Sequence, residues 1–274
     1  MFVKICGVTN ESDALMATAM GADAVGFIFA PSSRQVQPTV VRDIVRRLPP
    51  EVLTVGVFRN ETPERVVEIV NAAGLRGAQL HGFESAAEAA FVRDRVPFVL
   101  KAFAVGHPLL ERIDDYEVDA VLLDGPEPGS GKPADWDLAR HLAGRYRLLL
   151  AGGLRPDNVA MAVAEVAPWG VDVASGVESS PGYKDVRLTR RFVLAARAAG
   201  AALAEGDGTW AEAGDDGAGI DDPGWGSGAP IAGVEGVAVD EPFDFDPAPW
   251  EPAEPPADEA RQGTLYDWEG EGPR

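Results

Sequence analysis

The sequence has few of the features that stabilise secreted proteins or that bind nucleic acids. It contains one cysteine, Cys6, in 274 residues, which cannot close an intrachain disulfide and fits a reducing compartment. Lys and Arg total 24 against 44 Asp and Glu, so a nucleic-acid partner is not expected. No run of about 18 apolar residues predicts a membrane span, and the N-terminal segment lacks the pattern of a signal peptide. These absences predict a cytoplasmic protein.

The negative charge is concentrated at the end of the chain. Residues 201–274 contain 19 Asp and Glu against two arginines, a balance of −17 out of the net charge of −20. This segment is rich in Gly, Pro and Ala and cannot bury enough apolar surface to offset its chain entropy. We therefore predict a globular domain over residues 1–200 and a disordered acidic tail over 201–274. Scattered aromatic residues leave two interpretations of the tail: a solubilising extension, which we favour, and a weak docking segment for a partner.

Eight short apolar runs recur along residues 1–200. They are rich in Val, Leu, Ile, Phe and Ala without polar alternation, which is typical of parallel strands covered on both faces. The predicted strands are Phe2–Cys6, Ala24–Phe29, Leu53–Phe58, Gly77–His81, Phe98–Phe103, Ala120–Asp124, Arg147–Ala151 and Val171–Ser175.

Helical patterns lie between these strands. The segment Thr62-Pro63-Glu64 has a cap, a first-position proline and a first-turn acid, and Ser85 and Glu88 have capping-box spacing. Eight alternating strands and helices predict an α/β protein, a (β/α)8 TIM barrel, with an open doubly wound sheet as the alternative. The predicted helices are Asn10 or Ser12 to Met20, Thr39–Leu48, one that opens at Thr62, Ser85–Arg95, Pro108–Ile113, Asp135–Tyr146, Pro156–Val166 and Asp185–Ala199.

Two acid–base groups stand where such a barrel carries function, at the C-terminal ends of strands. Cys6 ends strand 1 and Asp124 ends strand 6. A cysteine in an apolar strand is usually inert packing, but an unpaired carboxylate is costly to bury and is not a packing residue. A thiol and a carboxyl on one rim suit proton transfer at a carbon acid.

Glycine-rich loops follow the last strands. Gly152-Gly153 comes after strand 7 and Ser175-Gly176 after strand 8, the two loops that commonly bind phosphate in this fold. Ser130-Gly131, after strand 6, extends the same set. Backbone N–H groups bind anions whatever the net charge of the chain, so we expect a small molecule that carries a phosphate.

Lys4 and Asp172 are expected to form a pair inside the barrel. Lys4 lies on the strand face of Cys6, two residues earlier, and Asp172 lies on strand 8, which neighbours strand 1 in a closed barrel. An electrostatic influence on Cys6 and a purely structural ion pair remain alternative roles for this pair.

Short motifs run through the whole predicted domain in one order, over residues 3–185. This ordered set resembles the phosphoribosylanthranilate isomerase family of tryptophan biosynthesis, and the acidic tail lies outside the resemblance. The motifs include Lys4-Ile5-Cys6-Gly7, Ser33-Arg34, Gln79-Leu80-His81-Gly82, Leu123-Asp124, Gly129-Ser130-Gly131-Lys132, Ala151-Gly152-Gly153-Leu154, Ser175-Gly176-Val177-Glu178 and Pro181-Gly182-Tyr183-Lys184-Asp185.

The resemblance implies an Amadori rearrangement of a phosphosugar that uses neither a cofactor nor a metal. By this similarity Asp124 is the general acid that protonates the furanose ring oxygen. Cys6 is the general base that removes the C2′ proton, a role that requires it to be partly thiolate. Arg34 is expected to hold the anthranilate carboxylate. The remaining expected substrate-binding residues are His81, Ser130, Gly131, Gly152, Gly153, Asp172, Ser175 and Gly176.

Three alternatives remain beside this function. A histidine-pathway aminoaldose isomerase has an Asp at the position of Cys6, so the cysteine favours the anthranilate enzyme. An enzyme that accepts both substrates is compatible with the motifs. A non-catalytic barrel whose acidic tail recruits a partner is opposed by the intact pair of Cys6 and Asp124.

Overall fold

A closed barrel of eight parallel strands, paired in chain order, forms the core of the fold. The computed structural model describes residues 1–106, 108–124 and 133–206, with only the backbone given at 133–136 and 206. The (β/α)8 prediction is confirmed and the open-sheet alternative is wrong. The barrel strands are β1 (Phe2–Ile5), β2 (Ala24–Ile28), β3 (Leu53–Phe58), β4 (Gly77–Leu80), β5 (Phe98–Ala104), β6 (Ala120–Asp124), β7 (Leu148–Ala151) and β8 (Gly170–Val173).

Pairing between β1 and β8 closes the barrel, with Lys4 opposite Asp172 in the register. Val3 and Ile5 of β1 belong to the apolar layer under the helices. Because side chains alternate across a strand, Lys4 and Asp172 face the barrel interior. The same alternation brings Cys6, which follows β1 directly, to the interior face.

The outer layer consists of helices whose starts follow local capping signals. Asn10 and Thr62 accept hydrogen bonds from the backbone N–H groups of Asp13 and Arg65, and Ser85 forms a capping box with Glu88. A short hairpin of β9 (Glu178–Ser180) and β10 (Tyr183–Lys184) follows β8. The α-helices of the described residues are α1 (Glu11–Ala19), α2 (Pro38–Val45), α3 (Pro63–Ala73), α4 (Ala86–Arg93), α5 (Pro133–Ala143), α6 (Val159–Val166) and α7 (Val186–Gly206).

Two helical segments differ most from the sequence-based expectation. The segment after β5 is a 3-10 helix, Pro108–Asp115, with a break at Arg112. It buries only Ile113, too little apolar surface to stabilise a regular α-helix. Helix α7 runs to Gly206, past residue 200, and Leu203 packs against the core. Within the described residues, no helix combines the length and apolar character of a membrane span. Residues 201–206 of the predicted tail are helical, and the rest of the tail prediction falls on residues outside those described.

Candidate active site

Cys6 and Asp124 lie on the same rim of the barrel. Cys6 follows β1 and Asp124 is the last residue of β6, and parallel strands of one closed barrel end on one side. Two strands, β7 and β8, separate them around the shorter arc. The thiol is buried, with Cys6 5% exposed, whereas the Asp124 side chain keeps 25% of its surface exposed. The carboxyl group is therefore the more accessible of the two.

The expected interior pair is present beside Cys6. Lys4 Nζ donates a hydrogen bond to Asp172 Oδ1 at 2.9 Å. A Cβ placed on Gly26 of β2 would lie 2.9 Å from Cys6 Sγ and 3.2 Å from Lys4 Nζ. The sulfur and the ammonium group therefore converge over a position that only glycine leaves open.

Burial determines the protonation state of Cys6. It raises the pKa of the thiol, Asp172 adds to this effect, and the Lys4 ammonium opposes it without overcoming it. Burial alone would lower the pKa of Lys4, but the Asp172 carboxylate and Cys6 outweigh it and raise that pKa. Lys4 is therefore charged. The site therefore shifts Cys6 towards its thiol form, because it removes this sulfur from water.

Replacement of Lys4 by Met tests whether this pair acts on the thiol. The pKa of Cys6 should rise further because the opposing ammonium is lost. The free energy of unfolding should fall by about 3–5 kcal/mol because Asp172 becomes a buried, unpaired charge. Ultraviolet titration of the thiolate measures the first effect, since the chain has one cysteine, and the same titration of Cys6→Ser corrects for the absorbance of its four tyrosines.

The matched control is Lys4→Met with Asp172→Asn, which removes both charges. It should recover most of the lost stability and bring the thiol pKa closer to the value that burial alone produces. An unchanged thiol pKa in Lys4→Met would mean that the pair has only a structural role.

Arg34 lies against Gly7, the residue after Cys6, and is already engaged by a carboxylate. Its Nε and Nη2 donate to the two oxygens of Glu178, each at 2.8 Å. Lys184 Nζ donates to the same carboxylate at 2.7 Å. A Cβ on Gly7, which has a φ of +70°, would lie 2.6 Å from Arg34 Cδ, so the arginine stem covers the residue after Cys6.

The cluster of Arg34, Glu178 and Lys184 carries a formal net positive charge, and burial lowers the pKa of Lys184 within it. Burial raises the pKa of Glu178, but Arg34 and Lys184 outweigh it and lower that pKa, so the carboxylate stays ionised between two cations. Glu178 and Lys184 were not among the expected site residues. The sequence offered one sign of their role, since both are charged residues within the family motifs that follow strand 8.

The loops after β7 and β8 approach each other through glycine. Gly152 and Gly153 have φ values of +84° and +59°, a region that favours glycine. A Cβ on Gly176 would overlap the carbonyl oxygen of Leu154, and Ser175 begins a short 3-10 helix. These loops therefore bring glycine backbone close together on the rim, whereas Ser130 and Gly131 lie outside the described residues.

His81 contacts Asp124. Its Nε2 lies 3.5 Å from Asp124 Oδ2, and its Nδ1 lies 2.7 Å from Nε2 of Gln79, which is 1% exposed. His81 thus extends the Asp124 side of the rim.

The protein belongs to the class of barrel enzymes, because its closed (β/α)8 barrel carries a thiol, a carboxyl group and a cationic cluster on the C-terminal rim. The family model for N-(5'phosphoribosyl)anthranilate (PRA) isomerase matches residues 3–195. The chain belongs to this family, and the resemblance seen in the sequence is confirmed. The match ends before the acidic segment.

Individual relatives agree with the family match. The N-(5'-phosphoribosyl)anthranilate isomerase of Citrifermentans bemidjiense is 49% identical over 201 residues, which cover 71% of this chain and 96% of the relative. The enzyme of Desulforudis audaxviator is 47% identical, and the match covers 72% of this chain and 98% of the relative. The crystal structure of phosphoribosyl anthranilate isomerase from Thermotoga maritima has a TM-score of 0.67 at 41% identity and covers 72% of this chain and 99% of its own.

Proposed function

We propose that this chain converts N-(5-phosphoribosyl)anthranilate to 1-(2-carboxyphenylamino)-1-deoxyribulose 5-phosphate in tryptophan biosynthesis. The observation that carries the proposal is the presence of Cys6 and Asp124 on one barrel rim. Family membership over residues 3–195 supports it. So does a phosphoribosyl anthranilate isomerase structure, 39% identical with a TM-score of 0.65, in complex with reduced 1-(o-carboxyphenylamino)-1-deoxyribulose 5-phosphate.

Asp124 opens the sugar ring as the general acid. It transfers its proton to the furanose ring oxygen while the bond from that oxygen to C1′ breaks. The nitrogen lone pair forms the C=N bond of a protonated Schiff base. An unprotonated ring oxygen is a poor leaving group, so this step requires a positioned acid. The partial exposure of the Asp124 side chain, 25%, allows it to reach a substrate on the rim.

Cys6 completes the isomerisation as the general base. In its thiolate form it removes the C2′ proton, and the electron pair of that bond shifts to form the C1′–C2′ double bond as the iminium nitrogen is neutralised. The resulting enolamine gains a proton at C1′ and loses the proton of its C2′ hydroxyl group, so that the C2′=O bond of the aminoketose forms and these two proton transfers cancel. One proton has been given by Asp124 and one taken by Cys6, so the scheme balances without a cofactor or a metal.

The cationic and glycine-rich parts of the rim bind the anionic ends of the substrate. Arg34, within its net positive cluster with Glu178 and Lys184, attracts the anthranilate carboxylate. Backbone N–H groups of Gly152-Gly153 and Ser175-Gly176 hold the phosphate, joined by Ser130-Gly131. Asp172 contributes through Lys4, which it holds against Cys6.

The direct test follows the loss of substrate fluorescence on addition of the purified full chain. We expect turnover without added metal or cofactor. Absence of turnover by the folded protein would overturn the proposal. A parallel assay with the aminoaldose of histidine biosynthesis tests the dual-substrate alternative.

The proposal includes a location and a role for the end of the chain. We place the enzyme in the cytoplasm, where Cys6, a free cysteine, stays reduced. Catalysis is assigned to the barrel and not to the acidic segment 201–274, which has no part in the chemistry above and binds at most a weak partner.

Truncation tests that division of roles. A chain ending at Gly206 should keep its kcat and KM, because it retains α7 with Ala199 and Leu203 packed on the core. Steady-state kinetics and a thermal melt provide the measurement. A chain ending at Gly200 is the matched comparison and should melt at a lower temperature, since it loses the Leu203 contact. Lost activity in the chain ending at Gly206 would place part of the site in the tail.

A further inference from the structure

A fully buried ion pair lies behind the loop that carries His81, outside the residues assigned to the chemistry. Lys101 on β5 is 0% exposed and Glu84, which precedes α4, is 4% exposed. Lys101 Nζ lies 2.8 Å from Glu84 Oε2. The aromatic ring of Phe103, two residues after Lys101, packs against Tyr116, which belongs to the outer layer after the 3-10 helix. The pair therefore lies between the barrel and its outer layer.

The pair binds the backbone on both sides of His81. Lys101 Nζ donates to the carbonyl oxygens of Leu80 at 3.3 Å and Gly82 at 2.7 Å. Glu84 Oε2 accepts from the N–H of Gly82 at 2.8 Å. The N–H of His81 itself donates to the carbonyl of Phe58 at 2.8 Å. The peptide groups that determine the position of His81 are thus all held.

A second set of contacts holds the loop against β3. Glu84 Oε1 accepts from the N–H of Asn60 at 2.8 Å, and Asn60 Oδ1 accepts from the N–H of Phe83 at 2.7 Å. A Cβ on Gly82 would overlap Asn60. The Tyr116 hydroxyl donates to the carbonyl of Glu84 at 2.8 Å. The loop therefore packs too closely to adopt another path without breaking these bonds.

Stability alone does not explain this arrangement. A buried ion pair pays a desolvation cost that its attraction often fails to recover, and apolar side chains of similar size are frequently as stable. Burial raises the pKa of Glu84, but Lys101 and the backbone donors outweigh it and lower that pKa, so the carboxylate remains charged. Charged groups bind backbone groups in defined directions, which apolar groups cannot do. The pair therefore determines the geometry of the loop that carries His81.

The geometry points to Lys101 and Glu84 as positioning residues that hold His81 against Asp124. His81 Nε2 lies 3.5 Å from Asp124 Oδ2, a distance that a small shift of the loop would change from contact to separation. The inference rests on the proposed function, in which Asp124 is the general acid. Neither Lys101 nor Glu84 contacts the reacting atoms, and both act through the position of the imidazole.

The test is a cycle of variants in the full chain. Lys101→Met with Glu84→Gln removes both charges and avoids an unpaired buried one. We expect kcat to fall about 10- to 100-fold with little change in KM, since a misplacement of about 1 Å can cost such a factor. In a His81→Ala background the same pair of substitutions should lower kcat by less than about twofold, because groups that act through one residue are not additive.

Two controls separate positioning from a general loss of stability. Phe192→Leu changes a side chain that is 0% exposed on α7 and should lower the melting temperature without lowering kcat. Glu84→Gln alone serves if the double variant does not fold, and it should give a smaller loss of kcat with the same dependence on His81. An equal loss of kcat in the His81→Ala background, or an unchanged kcat in the folded double variant, would overturn the inference.

A second readout does not depend on activity. The nitrogen-15 signals of the His81 ring report which nitrogen carries the proton, and His81→Ala identifies them among the three histidines of the chain. The double variant should shift these signals as the ring leaves Asp124 and Gln79. Unchanged signals in the double variant would overturn the positioning role. A wild-type chain without isomerase activity would contradict the proposed function, and the nitrogen-15 signals would still test the positioning role.

Discussion

Replacement of Asp124 by Asn is expected to lower kcat by about 10²- to 10⁴-fold, the range that a positioned acid or base contributes. The amide has nearly the same shape as the carboxyl group but has no acidic proton for the ring oxygen. KM should change little, since Asp124 is assigned to the transition state and not to either anionic end of the substrate. Steady-state kinetics with the fluorescent substrate measure both constants.

Asp137→Asn is the matched control for this substitution. Asp137 has a side chain that is 72% exposed and pairs with Arg140 on the surface of α5, an interaction of small energetic value. Its activity should equal that of the wild-type chain. Circular dichroism should show that both variants keep the barrel. If the folded Asp124→Asn variant retained wild-type kcat, another group would have to be the acid.

Cys6→Ser is expected to produce a loss of similar size, about 10²- to 10⁴-fold in kcat. Serine fills almost the same space, but its hydroxyl group ionises far less readily than a thiol. The base must be deprotonated to act, and burial raises the pKa of Cys6. Wild-type kcat/KM should therefore rise as the pH increases above neutrality, until the thiol is ionised. This rising limb should be absent in Cys6→Ser.

Chemical modification provides an independent check on this prediction. A small alkylating agent should inactivate the wild-type chain faster at higher pH and should have no such effect on Cys6→Ser, because the chain has no other cysteine. Substrate or product should slow the inactivation. A rising pH limb that persisted in Cys6→Ser would assign the base to a different residue.

Cys6 and Asp124 have different surroundings, and the proposed mechanism depends on this difference. Cys6 lies inside the barrel beside the Lys4–Asp172 pair, whereas Asp124 is partly exposed beside His81. The ammonium of Lys4 favours the thiolate once the proton leaves. The rim therefore offers an accessible acid and a buried base, each with a neighbour of its own.

Local signals in the sequence predicted most of the secondary structure. The eight strands end within two residues of their expected bounds, because each is a continuous apolar run between polar segments. Asn10, Thr62 and Ser85 mark helix starts through bonds that span only three residues. The segment after β5 was expected to be an α-helix and is a 3-10 helix. Its apolar face is too small to stabilise an α-helix.

Residues assigned to the site followed from position and family pattern, but of their partners only Lys4, expected opposite Asp172, was predicted. Arg34 was assigned to a carboxylate of the substrate, yet in the fold it binds Glu178, 144 positions away. The pair of Lys101 and Glu84 gave no sequence signal, because an isolated Lys in an apolar strand does not show which carboxylate it meets. Ser130 and Gly131 remain predictions.

The sequence by itself determined the alternating barrel pattern, the identity of the thiol and the carboxyl group, and the family, since each depends on residue types in order along the chain. The sequence also predicted the pair of Lys4 and Asp172. Only the tertiary structure decided the other buried charge pairs: Arg34 with Glu178, and Lys101 with Glu84. It also decided that Cys6 is buried. The physical reason is that ion pairing and desolvation depend on distance and burial in three dimensions, which closure of the barrel creates.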